Sequence, residues 1–581
     1  MKKIPGIMIC LASFLTLFLS AAPTAACTIM AVGKDASVDG SVMVSHTNDG
    51  ISDPRAIYIP AMDHPKGSKR AVFYAANAFG YKPEYGASAT IRLNTKQFGP
   101  GYDSPGVPAS VPLGFIPQAT HTYAYIDSAY AVINEHQLIM GECTDKAKVH
   151  PQPEPGKRIF YSAELGRVAM ERCKTAREAV DLIGALIDEY GYYGTGETLA
   201  IGDPEEAWVI EMCGYDMDGT GGIWVAQRLS DDEFFIAANQ FRIRDIITGK
   251  PDEMRYSKNI FDIAEKKGWW KPADGSLDFT KVYGGVEFHH PYYSKRRVWR
   301  GLSLAAPSKH LSPWVKSAFS REYPFSLKPD RKMSVKDILR ICRDNYEGTE
   351  FDLTKGLAAG PFGNPNRFEG NAEALADQEG KLTPVHGYFE RPINIYRCLY
   401  YHVSQARKNM PDGVGGVTWF APDRSATSIT IPLYAGSSAV PPALSKGNVM
   451  KFDRSTLWTV NNYMGNLLAL KYCYMYKDLC AVREKIEEKM STDCAAVEAK
   501  AQSLYAKGKN KEAVALLTDF SEQQSRNVLN AWWNLAEQLF LKYEDGYINT
   551  DTHIAKPVFY PAWWLKKVGF EKDQTTYKKQ P

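Results

Sequence analysis

The sequence predicts an α+β fold in which antiparallel sheets stack on each other and are covered by helices. Three observations favour this fold. Short apolar, β-branched segments bounded by turn residues recur between residues 27 and 440, which indicates hairpins. Among them, residues 163–190 carry apolar side chains at helical spacing. After about residue 453 the chain is charged, amphipathic and poor in glycine and proline, so a helical C-terminal region is predicted.

The first predicted element is a β-hairpin directly after residue 26. Cys27–Gly33 and Ser41–His46 are apolar and β-branched, and they flank a polar stretch with an Asp-Gly turn signal. Such runs on both sides of a turn signal indicate paired antiparallel strands. A turn centred between them would place Cys27 opposite about residue 47 and bring Asp49 close to the start of the first strand.

The remaining elements follow from the same patterns. Strands are predicted at Tyr123–Asn134, Glu206–Cys213, Ile223–Arg228, Phe234–Ala238, Thr418–Phe420 and Ile429–Ile431. Helices are predicted as a pair within Ala163–Tyr190, at Val335–Cys342, and at Trp458–Met490, Asp493–Lys507 and Lys511–Leu541. Segments 245–330 and 345–395 are rich in aromatic residues, glycine and proline, and we expect them to form long excursions from the main body.

Composition and charge exclude several classes of protein. The chain has 581 residues, 44% hydrophobic and 23% charged, with a formal net charge of +3. This is ordinary globular composition, and so balanced a charge gives no reason to expect nucleic acid or an anionic membrane as partner. After the first residues, no stretch approaches the ~20 consecutive apolar residues of a membrane-spanning helix.

Residues 1–26 have the pattern of a secretory signal peptide. Lys2-Lys3 form a basic start, Ile7–Leu19 are almost entirely apolar, and Ala21–Ala26 provide small residues for cleavage. The protein is therefore expected to be exported, to the periplasm or outside the cell. The predicted organisation is a signal peptide at 1–26, a main domain at 27–452 and a helical C-terminal region at 453–581.

The cysteines do not form a metal-binding pattern in the sequence. Of ten cysteines, one lies in the signal segment, and the remaining nine leave at least one thiol unpaired even if disulfides form after export. No Cys-x-x-Cys pair or Cys/His group has the spacing of metal ligands, and the adjacent pair His289-His290 has no helical His or carboxylate pattern nearby. The sequence therefore predicts no metal site.

Cys27 is the strongest candidate for catalysis. Cleavage after Ala26 would place a free α-amine on the same residue as a thiol. A free α-amine has a pKa of about 7.7–8.0, so it can be neutral at working pH and can take the thiol proton directly or through one water. Two other interpretations remain open: a cysteine at this place can carry a lipoprotein anchor, although Thr24 stands where lipidation favours a bulky aliphatic residue, or it can have no function.

Several motifs, taken in order, resemble peptidase family C69, the secreted and dipeptidase A-like dipeptidases. They are cysteine Ntn-hydrolases related to penicillin V acylase and the bile-salt hydrolases. The resemblance begins with Cys27–Ser37 and Asp39-Gly40-Ser41. It continues in Ser45–Gly50, Asp53-Pro54-Arg55, Val132–Glu135, Ala237–Phe241, Ser294–Arg300, Tyr346–Thr349 with Asp352, and Thr418-Trp419-Phe420. It covers most of residues 27–440 and, more loosely, the C-terminal region.

The resemblance implies a four-layer αββα sandwich over residues 27–452 and hydrolysis of an amide bond without a metal or organic cofactor. It implies Cys27 as nucleophile, with its own α-amine as base, and Asp49 beside it. Asn134 and Asn239 match asparagines that stabilise the oxyanion in the relatives. Arg297 matches an arginine that lowers the pKa of the thiol.

The resemblance also indicates how substrate is bound. Relatives of the acylase type usually carry an arginine at the position of His46, and the difference favours the dipeptidase subgroup. His46, Asp49, Asp53 and Arg55 are candidate substrate-binding residues, because an acid suits the free amino group of a dipeptide or short peptide. Two alternatives stay open: an N-acyl amide hydrolase of the penicillin V acylase or bile-salt hydrolase type, and a lipid-anchored lipoprotein that binds peptides. A homo-oligomer is also left open.

Overall fold

The structure is a computed structural model that describes residues 27–50, 53–75, 93–103, 106, 108–215, 221–367, 387–550, 552 and 554–572. The predicted signal peptide at 1–26 and part of the predicted excursion at 345–395 lie outside the described residues. Cys27 is the first residue described, and its nitrogen forms a peptide bond with Ala26.

The described residues form twenty-one strands. They are β1 (Thr28–Val32), β2 (Val42–Asp49), β3 (Ile57–Ile59), β4 (Met62–Asp63), β5 (Lys69–Phe73), β6 (Pro112–Pro117), β7 (His121–Thr122), β8 (Tyr125–Asp127), β9 (Ile133–Asn134), β10 (Ile139–Asp145), β11 (Gly196–Gly202), β12 (Ala207–Cys213), β13 (Ile223–Leu229), β14 (Phe234–Ala237), β15 (Met254–Tyr256), β16 (Ser326–Leu327), β17 (Cys398–Ala406), β18 (Val417–Pro422), β19 (Ile431–Tyr434), β20 (Tyr547–Ile548) and β21 (Lys556–Pro557).

The same residues form twelve α-helices. They are α1 (Ser162–Arg172), α2 (Ala176–Tyr190), α3 (Ile260–Lys266), α4 (Phe279–Tyr283), α5 (Lys295–Ala305), α6 (Val335–Cys342), α7 (Asp412–Gly415), α8 (Pro442–Ser445), α9 (Leu457–Leu468), α10 (Tyr472–Ala506), α11 (Asn510–Tyr543) and α12 (Ala562–Lys567).

Most strands belong to two antiparallel sheets. Sheet I has the order β16-β14-β1-β2-β17-β18-β19, and sheet II has the order β15-β13-β12-β11-β10-β9-β8-β3. The hairpin predicted after residue 26 is confirmed, because β1 pairs with β2. Its register differs by one residue from the expected one: Thr28 lies opposite Thr47, so continued pairing would place Cys27 level with Asn48.

The two sheets pack face to face, with β1 and β2 of sheet I against β10 and β11 of sheet II. The approach is close over Gly141 in β10, where a Cβ atom would lie 2.8 Å from the Ser45 carbonyl oxygen. Helices α1 and α2 cover the outer face of sheet II, whereas α5, α6, α9 and α11 cover sheet I. This helix–sheet–sheet–helix order is the four-layer αββα sandwich that was expected, and a helical C-terminal region follows it.

Helix α2 illustrates how local sequence and packing agree. The Thr175 side chain accepts a hydrogen bond from the Glu178 N–H, and the Glu178 side chain returns to the Thr175 N–H, which forms a capping box. Val180, Ile183 and Ile187 lie on one face at helical spacing and are completely buried against sheet II. Burial of one such side chain stabilises the fold by about 1.5–3 kcal/mol, so the helix is held mainly by this face.

Several predicted elements differ from the structure. The strand expected at Tyr123–Asn134 is two short strands, β8 and β9, because the chain turns between them where the Ser128 N–H bonds to the Tyr130 carbonyl. The strand expected at Ile429–Ile431 begins only at Ile431. Helix α10 continues through the break expected after Met490, where the Thr492 hydroxyl bonds to the Glu488 carbonyl within the helix.

The C-terminal helices contribute directly to the main body. Helices α9 and α11 pack on β18 and β19, and the fully buried Trp532 belongs to the same apolar core as the residues between the sheets. The boundary predicted at residue 453 remains a prediction. In the part of the chain that the structure describes, no helix combines the length and the apolar character needed to cross a bilayer. All nine cysteines there are free thiols.

Candidate active site

Cys27 lies at the start of the central hairpin, completely buried between the sheets. Its carbonyl oxygen accepts a hydrogen bond from Arg297 Nη1 at 2.8 Å and a weaker one from the Cys143 thiol at 3.4 Å. The adjacent Thr28 N–H donates to the Thr47 hydroxyl across the hairpin at 3.1 Å. The backbone at the candidate nucleophile is therefore fixed by groups from three other parts of the chain.

Arg297 and Asn239 form a hydrogen-bonded pair beside Cys27. Arg297 projects from α5 and donates through Nη2 to Asn239 Oδ1 at 2.6 Å. Asn239 follows β14 in the left-handed region, with φ of 63°, and its Nδ2 donates to the Thr144 carbonyl at 2.6 Å. The two predicted residues thus meet at the Cys27 backbone, and Arg297 contacts the carbonyl of Cys27 rather than its thiol.

The surroundings of the Cys27 thiol raise its pKa well above the usual value. Burial is the largest cause, followed by the negative charges of Glu142 and Asp49, while the backbone N–H of Asp49 acts in the opposite direction. Arg297 was expected to lower this pKa, but its guanidinium contacts the Cys27 carbonyl instead. The thiol is therefore protonated at rest, and reaction requires a base.

Asp49 forms a buried ion pair that sequence analysis did not find. Its Oδ2 bonds to Nη2 of Arg391, and both side chains are inaccessible to solvent. Burial raises the pKa of Asp49, although the nearby charges of Arg391, Arg397 and Arg297 oppose the rise. Because its carboxylate is paired with Arg391, Asp49 is poorly placed to receive the amino group of a substrate.

His46 and Glu142 lie directly beside the thiol. The His46 Nε2 and Glu142 Oε2 atoms are 3.4 Å apart. A ring nitrogen of His46 and a carboxylate oxygen of Glu142 lie within 4.8 Å of Cys27 Sγ. Burial alone would raise the pKa of Glu142, but interactions with Glu197, His46 and Thr144 outweigh it and lower the pKa. Glu142 is consequently ionised and is the carboxylate that faces the nucleophile.

Glu197 is the partner of Glu142 in a buried carboxyl pair. Its pKa is raised well above the usual value by burial and by the charge of Glu142. The Tyr161 hydroxyl donates to Glu197 Oε1. Two carboxylates in contact in a dry interior cannot both ionise, so the pair holds one negative charge, which lies on Glu142.

Aromatic side chains enclose His46. The rings of Tyr130, Tyr400 and His402 make edge contacts with the His46 ring at centroid distances of 5.5–5.8 Å. The Tyr400 hydroxyl also accepts a hydrogen bond from the Tyr130 N–H at 3.3 Å. These contacts hold the imidazole in one orientation against the thiol.

Asn134 is not brought to this group. Both N–H donors of its side chain are used at the end of α1, where Nδ2 bonds to the carbonyls of Met170 and Cys173 at 3.1 and 2.8 Å. Its Oδ1 accepts the backbone N–H groups of His136 and Leu138, both at 3.0 Å. The amide therefore secures a turn on the helix-covered side of sheet II and has no N–H left for an oxyanion.

Asp53 and Arg55 pair with each other. Arg55 Nη2 lies 2.7 Å from Asp53 Oδ2, and Arg55 Nε lies 3.0 and 2.9 Å from the two carboxylate oxygens. Both residues are nearly buried, and the Arg55 carbonyl accepts a hydrogen bond from the Ser128 hydroxyl at 2.7 Å. The role predicted for them in substrate binding would require this pair to open.

Sequence reasoning missed Glu142 and Arg391. Glu142 had one available signal, since it is a single acid within the apolar run Leu138–Cys143 and a charge inside a buried strand is costly unless it has a function or a partner. Arg391 lies in the predicted excursion 345–395 and has no motif around it. Cys27, His46 and Glu142 also form the one group of three potential metal ligands found among the described residues.

Comparisons with known proteins found a matching family and several similar chains. The family description "Peptidase family C69" matches residues 26–485. Similar curated proteins include a "Probable dipeptidase" of Salmonella dublin, 26% identical over 75% of this chain and 87% of the relative. "Dipeptidase A" of Lactobacillus helveticus is 21% identical over 90% and 97%. Among solved structures, penicillin V acylase from Agrobacterium tumefaciens matches with a TM-score of 0.26 and 10% identity, over 70% of this chain and 86% of that one.

Proposed function

The chain belongs to peptidase family C69, and from this membership we propose that it is an exported cysteine dipeptidase in which Cys27 is the nucleophile. Relatives named as dipeptidases align with most of the chain and support this activity. The observation that carries the proposal is the position of Cys27. It stands at the start of the family match and is held through its carbonyl by Arg297, which also holds Asn239.

Removal of residues 1–26 is the activating step in this proposal. It would convert the Cys27 nitrogen from an amide into an amine with a pKa of about 7.7–8.0. The amine takes the thiol proton, and the thiolate sulfur attacks the scissile carbonyl carbon to give a tetrahedral oxyanion. The raised pKa of the thiol makes this base necessary.

The intermediate then collapses, and the amine of the second residue leaves with the proton that the α-ammonium returns. This leaves a thioester on Cys27. The α-amine next takes a proton from water, the hydroxide attacks the thioester, and the thiolate leaves and is reprotonated. One water is consumed, and two amino acids are released from a dipeptide.

Asn239 is the side chain that we assign to the oxyanion. One hydrogen of its Nδ2 bonds to the Thr144 carbonyl, and its Oδ1 is held by Arg297. The second Nδ2 hydrogen is then directed by two fixed contacts and is available to the developing negative charge. Arg297 acts as a positioning residue, because it contacts the Cys27 carbonyl and Asn239 rather than the thiol.

Glu142 is the group that we assign to the amino group of the substrate. An α-amine lies only two covalent bonds from the scissile carbonyl carbon, about 2.5 Å away, so its anion must lie within several ångströms of the attacking sulfur. Glu142 satisfies this requirement, since its carboxylate lies within 4.8 Å of Cys27 Sγ. Asp49 and Asp53 are both paired with arginines.

The test is hydrolysis of Ala-Ala and other dipeptides by the mature protein, compared with Cys27→Ala and Cys27→Ser. We expect release of free amino acids by the wild type, complete loss in the alanine variant and at most weak activity in the serine variant. Full activity of Cys27→Ala would refute the mechanism. Faster hydrolysis of N-acyl amino acids than of dipeptides would instead favour the acyl-amide hydrolase.

The intact mass of the mature protein tests the remaining alternative. A chain that begins with unmodified Cys27 agrees with the proposed enzyme. A diacylglycerol adduct on Cys27 would block both the thiol and the amine, and would identify a lipid-anchored protein without this mechanism.

A further inference from the structure

Three side chains that metals favour meet at one point of the interior. Cys27 precedes β1, His46 lies in β2 and Glu142 lies in β10, so each comes from a separate backbone segment. Their Sγ, ring nitrogen and carboxylate oxygen atoms lie within 4.8 Å of one another. All three side chains are buried, and the contact between β2 and β10 over Gly141 fixes their separation.

The spacing fits a zinc ion closely. Zn²⁺ binds nitrogen and oxygen at about 2.0–2.2 Å and sulfur at about 2.3 Å in a tetrahedron, so two ligand atoms on one ion are about 3.3–3.6 Å apart. The His46 Nε2 and Glu142 Oε2 atoms are already separated by 3.4 Å. Because the three ligand atoms lie within 4.8 Å of one another, closure of the site requires them to approach by at most about 1.5 Å.

Hydrogen bonding in this cluster is incomplete, although His46 Nε2 and Glu142 Oε2 contact each other at 3.4 Å. Within the described residues, neither ring nitrogen of His46 makes a well-formed hydrogen bond, and neither does Glu142 Oε2. Buried polar atoms without partners are costly, and a bound ion would satisfy them. The charges also balance, because a thiolate and one carboxylate together neutralise a divalent cation.

We propose that the mature chain binds Zn²⁺ through Cys27 Sγ, His46 and Glu142, with the α-amine of Cys27 as the fourth ligand, and that this ion reversibly blocks the site. The fourth ligand rests on the proposed removal of residues 1–26, since an amide nitrogen does not bind zinc in this way. Binding replaces the thiol proton, which is released to solvent, by a sulfur–zinc bond. The ion competes with substrate, because it occupies both the nucleophile and Glu142.

The hydrogen bonds made to the proposed ligand side chains indicate a reversible zinc site rather than a structural one. Glu142 Oε1 accepts a hydrogen bond from the Thr144 hydroxyl at 2.9 Å, which orients the carboxylate. The other ring nitrogen of His46, by contrast, makes no hydrogen bond that would fix the imidazole as a ligand. Such outer contacts are commonly worth about 10–100-fold in metal affinity, so we expect binding weaker than in a structural zinc site.

Co²⁺ is the probe for this site, because it takes the same geometry as zinc and absorbs light. Mature protein titrated with Co²⁺ is expected to bind one ion and to show a thiolate-to-cobalt band in the near ultraviolet with strong visible bands of a tetrahedral site. Zn²⁺ is then expected to displace the cobalt. The band must disappear in Cys27→Ala, which separates this site from the exposed Cys473 and half-buried Cys480.

Variants of the other ligands test the geometry. Glu142→Gln and His46→Gln are expected to weaken cobalt binding by on the order of tenfold or more. Glu189→Gln at an exposed residue and His64→Gln at a half-buried one are matched controls outside the cluster that should leave cobalt binding unchanged. A chain that still carries residues 23–26 lacks the α-amine and is expected to bind more weakly than the mature chain. Thermal melts identify any variant that does not fold.

The outcomes distinguish this inference from the proposed function. If the mature chain hydrolyses dipeptides but shows no thiolate band, or if Cys27→Ala keeps the band, the zinc site is refuted alone. If the band behaves as expected but no peptide is cleaved, the zinc site stands and the proposed enzyme is refuted. In the active protein, zinc should raise the KM for Ala-Ala without changing kcat, and chelation should reverse the effect.

Discussion

Glu142→Gln is the substitution that best separates recognition of a dipeptide from the chemistry of Cys27. Gln has the same shape as Glu, so the buried site should remain packed, but the negative charge beside the thiol is lost. We expect hydrolysis of dipeptides with a free amino group to fall steeply. Substrates whose amino group is acetylated, which gain nothing from the charge, should not be cleaved more slowly than before.

The size of the effect follows from the surroundings of Glu142. The carboxylate is completely buried and lies within 4.8 Å of Cys27 Sγ, so a substrate ammonium would bond to it in a site without water. A hydrogen bond to a charged group is worth about 1.5–3 kcal/mol net. At about 1.4 kcal/mol for each factor of ten, kcat/KM for Ala-Ala should therefore fall about 10- to 100-fold.

The assay compares kcat/KM for Ala-Ala and N-acetyl-Ala-Ala in the wild type, Glu142→Gln and Glu197→Gln. Glu197→Gln is the matched control: it changes a second buried glutamate of the same pair, but one that is already protonated because its pKa is raised well above the usual value. It should change kcat/KM for Ala-Ala by less than about threefold, since no charge is removed.

Two results would refute the reasoning. If Glu142→Gln lowered kcat/KM equally for the free and the acetylated peptide, Glu142 would serve the chemistry and not the amino group. If Glu197→Gln had the larger effect on Ala-Ala, the negative charge of the pair would lie on Glu197.

Three further predictions concern stability. Arg391→Met leaves Asp49 buried without this arginine and should lower the free energy of unfolding, measured in urea, by about 3–5 kcal/mol. Adding Asp49→Asn should restore part of the lost stability. An unchanged urea midpoint in Arg391→Met would contradict the ion pair. The pKa of Glu197 in the folded state lies above the usual 4.5. The stability that this carboxyl group contributes to the fold is therefore fully present below pH 4.5 and is lost as pH rises through the folded pKa. Glu197→Gln should therefore gain stability relative to the wild type above pH 4.5. If the thermal midpoints of the two proteins changed with pH in the same way, the pKa shift of Glu197 would be refuted. Gly141→Ala places a Cβ 2.8 Å from the Ser45 carbonyl and should lower the free energy of unfolding by about 1–3 kcal/mol. The urea midpoint should fall, whereas dipeptide hydrolysis per folded molecule should stay the same.

Local patterns were enough to predict much of the fold. The hairpin that begins at Cys27 and helix α6 at Val335–Cys342 were found from apolar periodicity and turn signals, because these elements are specified by residues close in sequence. Helix α5 was not predicted. Its buried Arg296 and Arg297 do not follow an apolar pattern, since these charges are satisfied by contacts with distant residues rather than by solvent.

The candidate site divides in the same way. Cys27 was proposed from the predicted signal peptide that precedes it, and Asn239 and Arg297 from a resemblance, and the structure brings these three together. The pairing of Asp49 with Arg391 could not be predicted, because 342 positions separate the two residues and no local pattern marks either as a partner. Asn134, by contrast, has a clear local pattern that fits two roles. An asparagine in a turn after a strand suits both an oxyanion donor and an anchor for the end of a helix.

The order of strands in sheet I determines when the site can exist. Strand β2, which carries His46 and Asp49, pairs on one side with β1 and on the other with β17, which begins at Cys398. A ribosome has therefore to synthesise about four hundred residues before the first fifty can acquire their final neighbours, and such long-range pairing makes folding slow. Truncated chains that end before β17 should lack a formed site even if Cys27 is correctly exposed. Under the proposed mechanism, activity therefore requires complete synthesis and folding as well as removal of residues 1–26.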